Sequence, residues 1–357
     1  MPSAAIAGRE RPGRYWKIDL DTLELPAGDG GTVEIAAPSA RGLIACTLEQ
    51  AESDHAGLLA RVYGQTAAQS TKFGAMTVAQ RGPGAFVYIP TDVAVDDPIL
   101  ITYRANAACY PYTVVLAERG ARATVIERVE GGAGATFCGI VEVVTEAHAD
   151  VTVASLQVLP EDARAIATRD AKPGANARVA WAVADLGAAL TVGSVDARIE
   201  HEGATVDIAA LFFPRGTQHV DLITTVDHIA GHATSETIVK SAAGGRGQAR
   251  YLGNIRIVKD AQGSLAHLHD DALLLSKTAH IDSVPALEIA ANDVKAYHGA
   301  TVGAIDAELL FYMESRGIAR DAAERMIALG FFEPAIARFP TESLREEIRE
   351  GLRAKIG

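Results

Sequence analysis

The chain has 357 residues, 48% of them hydrophobic, with Lys+Arg 33 against Asp+Glu 45 and a formal net charge of −12. That length allows a large core, as one extended domain with appendages or as two compact ones. The acidic balance provides no global positive field for a phosphate backbone, which argues against nucleic acid as a partner.

Cys46, Cys109 and Cys138 sit far apart without CxxC spacing, so neither a disulfide framework nor a four-thiolate metal site is encoded, and reduced, intracellular residence is the default. The opening MPSAAIAGRERPGRYWK has no apolar stretch of signal-peptide length. No later run reaches the roughly 18 apolar residues of a membrane span. The expectation is a cytoplasmic protein with no membrane partner.

In chain order, the first forty residues are poorly periodic, with Gly28, Gly30 and Gly31 breaking any element. From Gly42 to Tyr63, Leu43, Ile44, Leu48, Leu58, Leu59 and Val62 fall in helix-permissive composition and predict one or two helices. Residues 1–79 are therefore an N-terminal helical or irregular cap. PGAFVYIP and DPILITY then bring β-branched and aromatic runs bounded by proline and glycine, which is strand chemistry.

From Val114 to Val294 the chain is a series of strand-like segments, among them RATVIERVEGG, DVTVASLQVLP, TVDIAALFFPRG and ARYLGNIRIVKD. Corner residues recur at Gly187, Gly203, Gly216, Gly231, Gly247, Gly263 and Asn292, mostly 13 to 16 residues apart, an even interval that signals a solenoid. If one interval is half a coil, about thirty residues make a turn and stacked turns form a parallel β-helix over residues 80–300, its narrow interior filled by alanine and branched residues. An antiparallel sandwich is the rival, but it needs fewer segments than these.

Residues 301–357 are a helical domain. Asp306 is a candidate N-cap and Gly317 a candidate C′ stop for the first helix, whose apolar face is Leu309, Leu310 and Met313. Asp321 with Glu324 has capping-box spacing at the second, and Leu344, Ile348, Leu352 and Ile356 stripe the third. A solenoid end exposes a sheet edge, so the plainest role for these helices is to cover it. Leu310, Met313, Met326 and Phe331 supply more apolar surface than short cap helices require, which adds partner docking as a second role.

Several side chains qualify as candidate ligands on chemistry alone. His298, in KAYHGATVG, falls just past a strand beside Gly299, where a backbone or ligand can approach closely. Imidazole suits iron, but one side chain cannot hold a cluster, and a lone histidine is more often structural. His267 and His269 in AHLHDD would share one side of a strand ahead of Asp270 and Asp271, although a polar turn explains them as well. His228 and His232 in DHIAGH flank a corner. GGAGATFCG and GGRGQAR lack phosphate-binding spacing, and no G-x-S-x-G elbow, H-E-x-x-H helix or nucleophile–base pair is present, so hydrolase and protease readings have no support.

The run NDVKAYHGATVG followed by LLFYMESRGI resembles the C-terminal signature of the SufB/SufD family, which assembles iron–sulfur clusters with a SufC ATPase. Phe73, Gly84, Phe86, Ile89, Pro90 and Pro98 match the family's approach to its central domain, with Thr77 or Val78 where an asparagine is frequent. The resemblance implies a right-handed parallel β-helix between helical segments. His298-Gly299 is similar to SufD rather than the H-E of SufB, and Ala279 stands about where SufB carries its cysteine. Ala296 replaces the cysteine that often precedes the SufD histidine by two residues.

By the same resemblance the chain is expected to be a non-enzymatic SufD-like subunit. His298 would contribute to a transient iron–sulfur cluster shared with a SufB-type subunit or a second copy of this chain. The C-terminal helices, with Leu310, Met313, Arg316 of RGI, Met326 and Phe331 of GFFEPAI, would receive the SufC ATPase. A reduced flavin is associated with such complexes as a family property, and no flavin motif is seen here. The alternative is a diverged homodimeric β-solenoid binding protein without cluster assembly.

Overall fold

The computed structural model of the chain describes residues 23–28, 30–80 and 82–357. Over these the backbone winds as a parallel β-solenoid, each coil placing one strand in each of two facing sheets. The first sheet stacks, in order, Gly31–Ala36, Ile99–Ala105, Arg122–Gly131, Asp150–Gln157, Arg178–Asp185, Thr205–Phe212, Thr234–Ala243, Ser264–Leu274 and Val294–Ala304. The second runs from Ile44–Thr47 through Gly84–Ile89, Tyr112–Ala117, Thr136–Thr145, Arg164–Lys172, Leu190–Ile199, His219–His228 and Gln248–Ile257 to His280–Ile289, with the short Ala108–Cys109 beside Thr136–Thr145. A parallel pair needs a long crossover, and here the strand of the opposite sheet is that crossover. No helix interrupts the winding.

Two strands depart from the expected N-terminal cap. Gly31–Ala36 pairs antiparallel with Ile99–Ala105, and Ile44–Thr47 pairs antiparallel with Gly84–Ile89, so this region closes the first edge of each sheet. The glycines at 28, 30 and 31 mask the alternation of GTVEIA, which is half-buried on one face. Helices α1 (Leu48–Asp54), α2 (Ala56–Leu59) and α3 (Lys72–Gln80) follow. Thr47 and Gln50 form a reciprocal capping box on α1. These helices pack on the outer face of the second sheet, burying Phe86, Val114, Leu116 and Ile140 in one cluster and Phe73, Cys138 and Ile166 in another.

The inner face follows the pleat. Ala123, Val151, Val179, Val206, Ser235, Ala266 and Ala296 stack in one row, coil above coil, and the small and branched side chains suit sheets packed about 10 Å apart. His228 also faces inward. It is fully buried, and its Nε2 lies 2.8 Å from Ser235 Oγ. Corners use glycine for two reasons. Gly203 has φ +72°, the left-handed region, whereas a Cβ at Gly187 would lie 2.1 Å from Leu159 O, so close backbone approach requires glycine there.

The tail forms α4 (Ala307–Ser315), α5 (Arg320–Ile336) and α6 (Glu342–Ile356). The Asp306 side chain accepts from Glu308 and Leu309 N–H, and Gly317 at φ +83° ends α4. The Asp321/Glu324 capping box does not form. The helix starts two residues earlier, with Ala319 as N-cap offering no side-chain cap, and Glu324 pairs with Arg320 instead. Thr341 caps α6, and Leu344, Ile348 and Leu352 are buried.

These helices do not lie across the solenoid end. The outer face of the first sheet presents Ala154, Leu156, Ala182, Ala184, Leu211, Ala242 and Leu273, and these pack with Ala328, Phe332, Ala335, Ile336, Phe339 and the α6 stripe in one cluster. Burying that flank removes more apolar area from water than crossing a single edge would. Lys355 Nζ fastens the end of α6 by donating to Leu186 O (2.8 Å) and Gln218 Oε1 (2.7 Å). Among the described residues no helix is long and apolar enough to cross a membrane.

Phe332 is fully buried against Phe213, with ring centroids 6.3 Å apart. Phe332→Ala should cost about 3–5 kcal/mol, seen as a lowered urea midpoint, whereas the exposed Phe311→Ala should stay within about 0.5 kcal/mol of the parent. Equal midpoints for the two variants would show that α5 is not held on the sheet.

Burial pushes the His228 imidazole down to about 4. Above an unfolded pKa near 6.5 both states are neutral. As pH falls from there toward 4, the unfolded chain takes up a proton that the folded one refuses, so this residue withdraws about 3 kcal/mol of stability over that window. The stability gap between parent and His228→Asn, measured by urea titration at several pH values, should narrow as pH falls from 7.5 to 4.5. A pH-independent gap would mean that His228 titrates normally in the folded protein.

Candidate functional site

The last coil consists of His280–Ile289 and Val294–Ala304, each the terminal strand of its sheet. Val294–Ala304 pairs on one side with Ser264–Leu274, and among the described residues no strand pairs with its other side. The last coil leaves Val284 and Ile289 exposed on one strand and Tyr297 and Val302 on the other, Tyr297 at 58%. An open, partly apolar strand edge is a template for another chain.

His298 lies inside this edge strand rather than just beyond one. Its register partner is Leu268, a core residue 1% exposed. In a parallel ladder paired residues share a face, so His298 extends the inner row past the last covered coil and is exposed because nothing stacks above it. Tyr297 points to the outer face and meets the His267 ring edge-on at 5.1 Å. His269 shares that outer face beneath Gly299, where an added Cβ would sit 3.6 Å from its Nδ1. The shared side read from AHLHDD is thus present, on a strand rather than in a turn.

The two aspartates after His269 diverge. Asp271 faces outward and accepts from Lys240 Nζ at 2.6 Å and Thr301 Oγ1 at 2.5 Å. Burial works against its charge, but these bonds outweigh it and hold the carboxyl below its ordinary value. Asp270 faces the interior. Burial raises its carboxyl to about 7 even though the Ser283 hydroxyl donates to it.

Among the described residues no three His, Cys, Asp or Glu side chains are grouped to hold a metal ion. The thiols lie in the early coils. Burial pushes Cys109 and Cys138 up to about 12, and Cys46 is raised by burial and by Asp54. Near the last coil stand Ala279 and Ala296. His298 therefore sits on an open edge with no thiolate from its own chain. His232 is remote from it, at a corner with φ +54° and its Nε2 3.7 Å from Glu202.

The residues expected to dock a partner separate by burial. Leu310 is 4% exposed and packs inward, and Met313 is half-buried. Arg316 is exposed, its guanidinium 5.1 Å from the Tyr312 ring centroid, and Met326 is 55% exposed. Phe331 is half-buried, with Lys240 Nζ 4.9 Å from its ring centroid and Phe332 edge-on to it.

Phe311 and Tyr312 were not singled out from the sequence, which placed Leu309 on the apolar face of this helix. Phe311 is 72% exposed, and Tyr312 and Leu309 beside it are exposed as well. The signal was the unbroken apolar run Leu309–Met313. With Leu310 turned inward and Met313 half-buried, a helix apolar on every side must present Phe311 and Tyr312 to solvent.

A model of the SufBD core domain of the SUF iron–sulfur cluster assembly system matches residues 100–331. An iron–sulfur cluster assembly SufBD family protein of Mycobacterium leprae is 28% identical over 267 residues, 72% of this chain and 30% of its own length. One from Staphylococcus epidermidis and one from Staphylococcus aureus are each 26% identical over 281 residues, 77% of this chain and 60% of theirs. The chain thus spans between about a third and three-fifths of the length of these relatives. The matched core runs from the second strand of the first sheet through the edge strand bearing His298 into α5, and on that span the chain belongs to the SufBD family of iron–sulfur cluster assembly proteins.

Proposed function

We propose that the chain is a non-enzymatic, SufD-like subunit of an iron–sulfur cluster assembly complex, and that the open last coil is where a SufB-type subunit joins it. The observation carrying this reading is His298 on an unpaired strand edge with no cysteine of its own chain nearby. Backbone groups along that edge gain partners when another strand adds to it. The cluster is cargo built at the junction. His298 supplies one imidazole and the thiolates come from the other subunit, because iron–sulfur clusters are held chiefly by cysteine. A second copy of this chain would bring another His298 and still no thiolate, so a cysteine-bearing relative serves the chemistry better than a homodimer.

A SufC-type ATPase docks on the solvent face of α4, through Phe311, Tyr312 and Arg316, with Met326 of α5 beside it. Aromatic side chains and arginine are the usual anchors of such contacts. Only Ile305 and Asp306 separate the edge strand from α4, so displacement of that helix by the ATPase would pull on the strand carrying His298. Leu310 contributes by holding α4 in place, from the buried side.

The test uses the co-purified complex. His298→Ala should leave complex recovery and melting temperature near the parent values, since an exposed side chain contributes little packing, while iron per complex falls several-fold. Unchanged iron with a lowered melting temperature would remove the ligand role. Phe311→Ala combined with Tyr312→Ala should weaken ATPase binding by at least tenfold, about 1.4 kcal/mol, measured by titration calorimetry. Undiminished affinity would move the docking face elsewhere. Point changes are needed because deleting the tail would strip the buried flank of the first sheet.

A further inference from the structure

The solenoid interior contains a guanidinium two of whose nitrogens the surrounding protein leaves without a partner. Arg169, on Arg164–Lys172, has the inward parity of Ala165 and Ala171 and is 3% exposed, yet its Nε and Nη1 are buried without a hydrogen bond. The facing strands add two more orphans at the same level. Ser155 Oγ and Trp181 Nε1 are buried and unbonded, on adjacent strands whose register sets Trp181 against Val153 and Ser155 against Val183. Two inward acids flank them. Glu127 is the register partner of Ser155, and Asp185 lies four residues along from Trp181. A Cβ at Gly193 would lie 3.8 Å from Arg169 Nη1 and 3.9 Å from Asp185 Oδ2, so these two atoms border one small space.

A guanidinium cannot shed its proton, and leaving its N–H groups buried and unbonded is among the costliest arrangements a core can contain. Direct pairing would solve this, but neither acid reaches hydrogen-bond distance of Nε or Nη1. Four unbonded donor atoms thus lie on neighbouring and facing strands, with the two inward acids on the same strands or in register with them. Buried water fits that pattern, since each molecule accepts from two donors and donates to two acceptors. A small anion fits less well, because both acids repel it.

We propose that the solenoid encloses a binding site for ordered water at Arg169, bridging its Nε and Nη1, Trp181 Nε1 and Ser155 Oγ to the carboxyl groups of Glu127 and Asp185. The site ties the two sheets together in mid-solenoid, several coils from the open edge, and does not depend on the partner assignment above.

Trp181 is the reporter. The chain has two tryptophans, so the indole N–H resonance of Trp181 is identified by its loss in Trp181→Phe. In the intact 357-residue chain that proton should show direct cross-relaxation with long-lived water, and Arg169→Met, which removes the charge the water solvates, should abolish it while the indole resonance stays dispersed. A high-resolution crystal structure of the parent should show water within hydrogen-bond distance of Arg169 Nε. A dispersed parent indole signal with no water transfer, a direct Arg169–Asp185 or Arg169–Glu127 ion pair in a dry core, or bromide density at Arg169 in crystals grown with bromide would each overturn the proposal.

Discussion

The backbone ladder between coils is the constraint on which the rest of this molecule depends. Every N–H and C=O along a central strand is satisfied only by the coils above and below, in register over six to eleven residues, as from Ser264↔Val294 to Leu274↔Ala304. Such a ladder has no internal stop, because each coil finished creates the next unsatisfied edge. The two ends must therefore be handled by other means. At the first end the chain does so itself, folding Gly31–Ala36 and Ile44–Thr47 back antiparallel, so that the direction of the ladder reverses and winding cannot continue. At the last end no strand of the described residues does this, and the asymmetry places the candidate site.

The ladder also determines what the interior holds. Side chains from both sheets meet in a slot about 10 Å wide, which fits alanine and valine rows and admits a large group only where its opposite number is small. Arg169 is accommodated near Gly193 on this principle. Polar residues in such a slot are forced to find one another. Tyr103 bonds Thr113 at 2.9 Å, which donates to Glu127 at 2.7 Å, and Thr224 meets Tyr251 at 2.6 Å. The Tyr103–Thr113–Glu127 contacts cross between the sheets and fix their separation, whereas Thr224–Tyr251 joins neighbouring coils of the second sheet, and a shift of either sheet leaves a buried polar atom unpaired.

The architecture was legible in the sequence because a solenoid repeats its signals. Corner glycines and β-branched runs at even intervals gave the winding without knowledge of any single contact, and close packing at Gly187 or a left-handed φ at Gly203 explains why glycine stands there. Nonrepeating parts were harder to read. Gly31–Ala36 is a strand only because Ile99–Ala105 offers it an edge, and the Asp321/Glu324 spacing lost to a start at Ala319 because α5 must present Ala328 and Phe332 to the sheet. The flank packing of α5 and α6 was missed for the same reason. In the strand sequences Ala154, Leu156, Ala182 and Ala184 read as further core residues, and only the register shows that they face outward and need a cover. His298 was found through its motif, while its exposure follows from its coil being last, a property that no local pattern carries.

An open edge threatens any protein that must remain soluble before it meets its partner, and the composition of Val294–Ala304 bears on this. Gly299 and Gly303 lower its strand propensity, and Lys295 places a charge near its start. Such features weaken indiscriminate strand addition without closing the edge. A partner that also contacts Tyr297, Val302 and the exposed end of the inner row gains apolar burial that a random strand does not, so discrimination rests on side chains while the backbone supplies adhesion common to all. On that division of labour the absence of a neighbouring thiol is an advantage. Under the proposed function, a cysteine beside His298 would let two copies of this chain satisfy each other, whereas an imidazole alone would leave the thiolates to a different subunit.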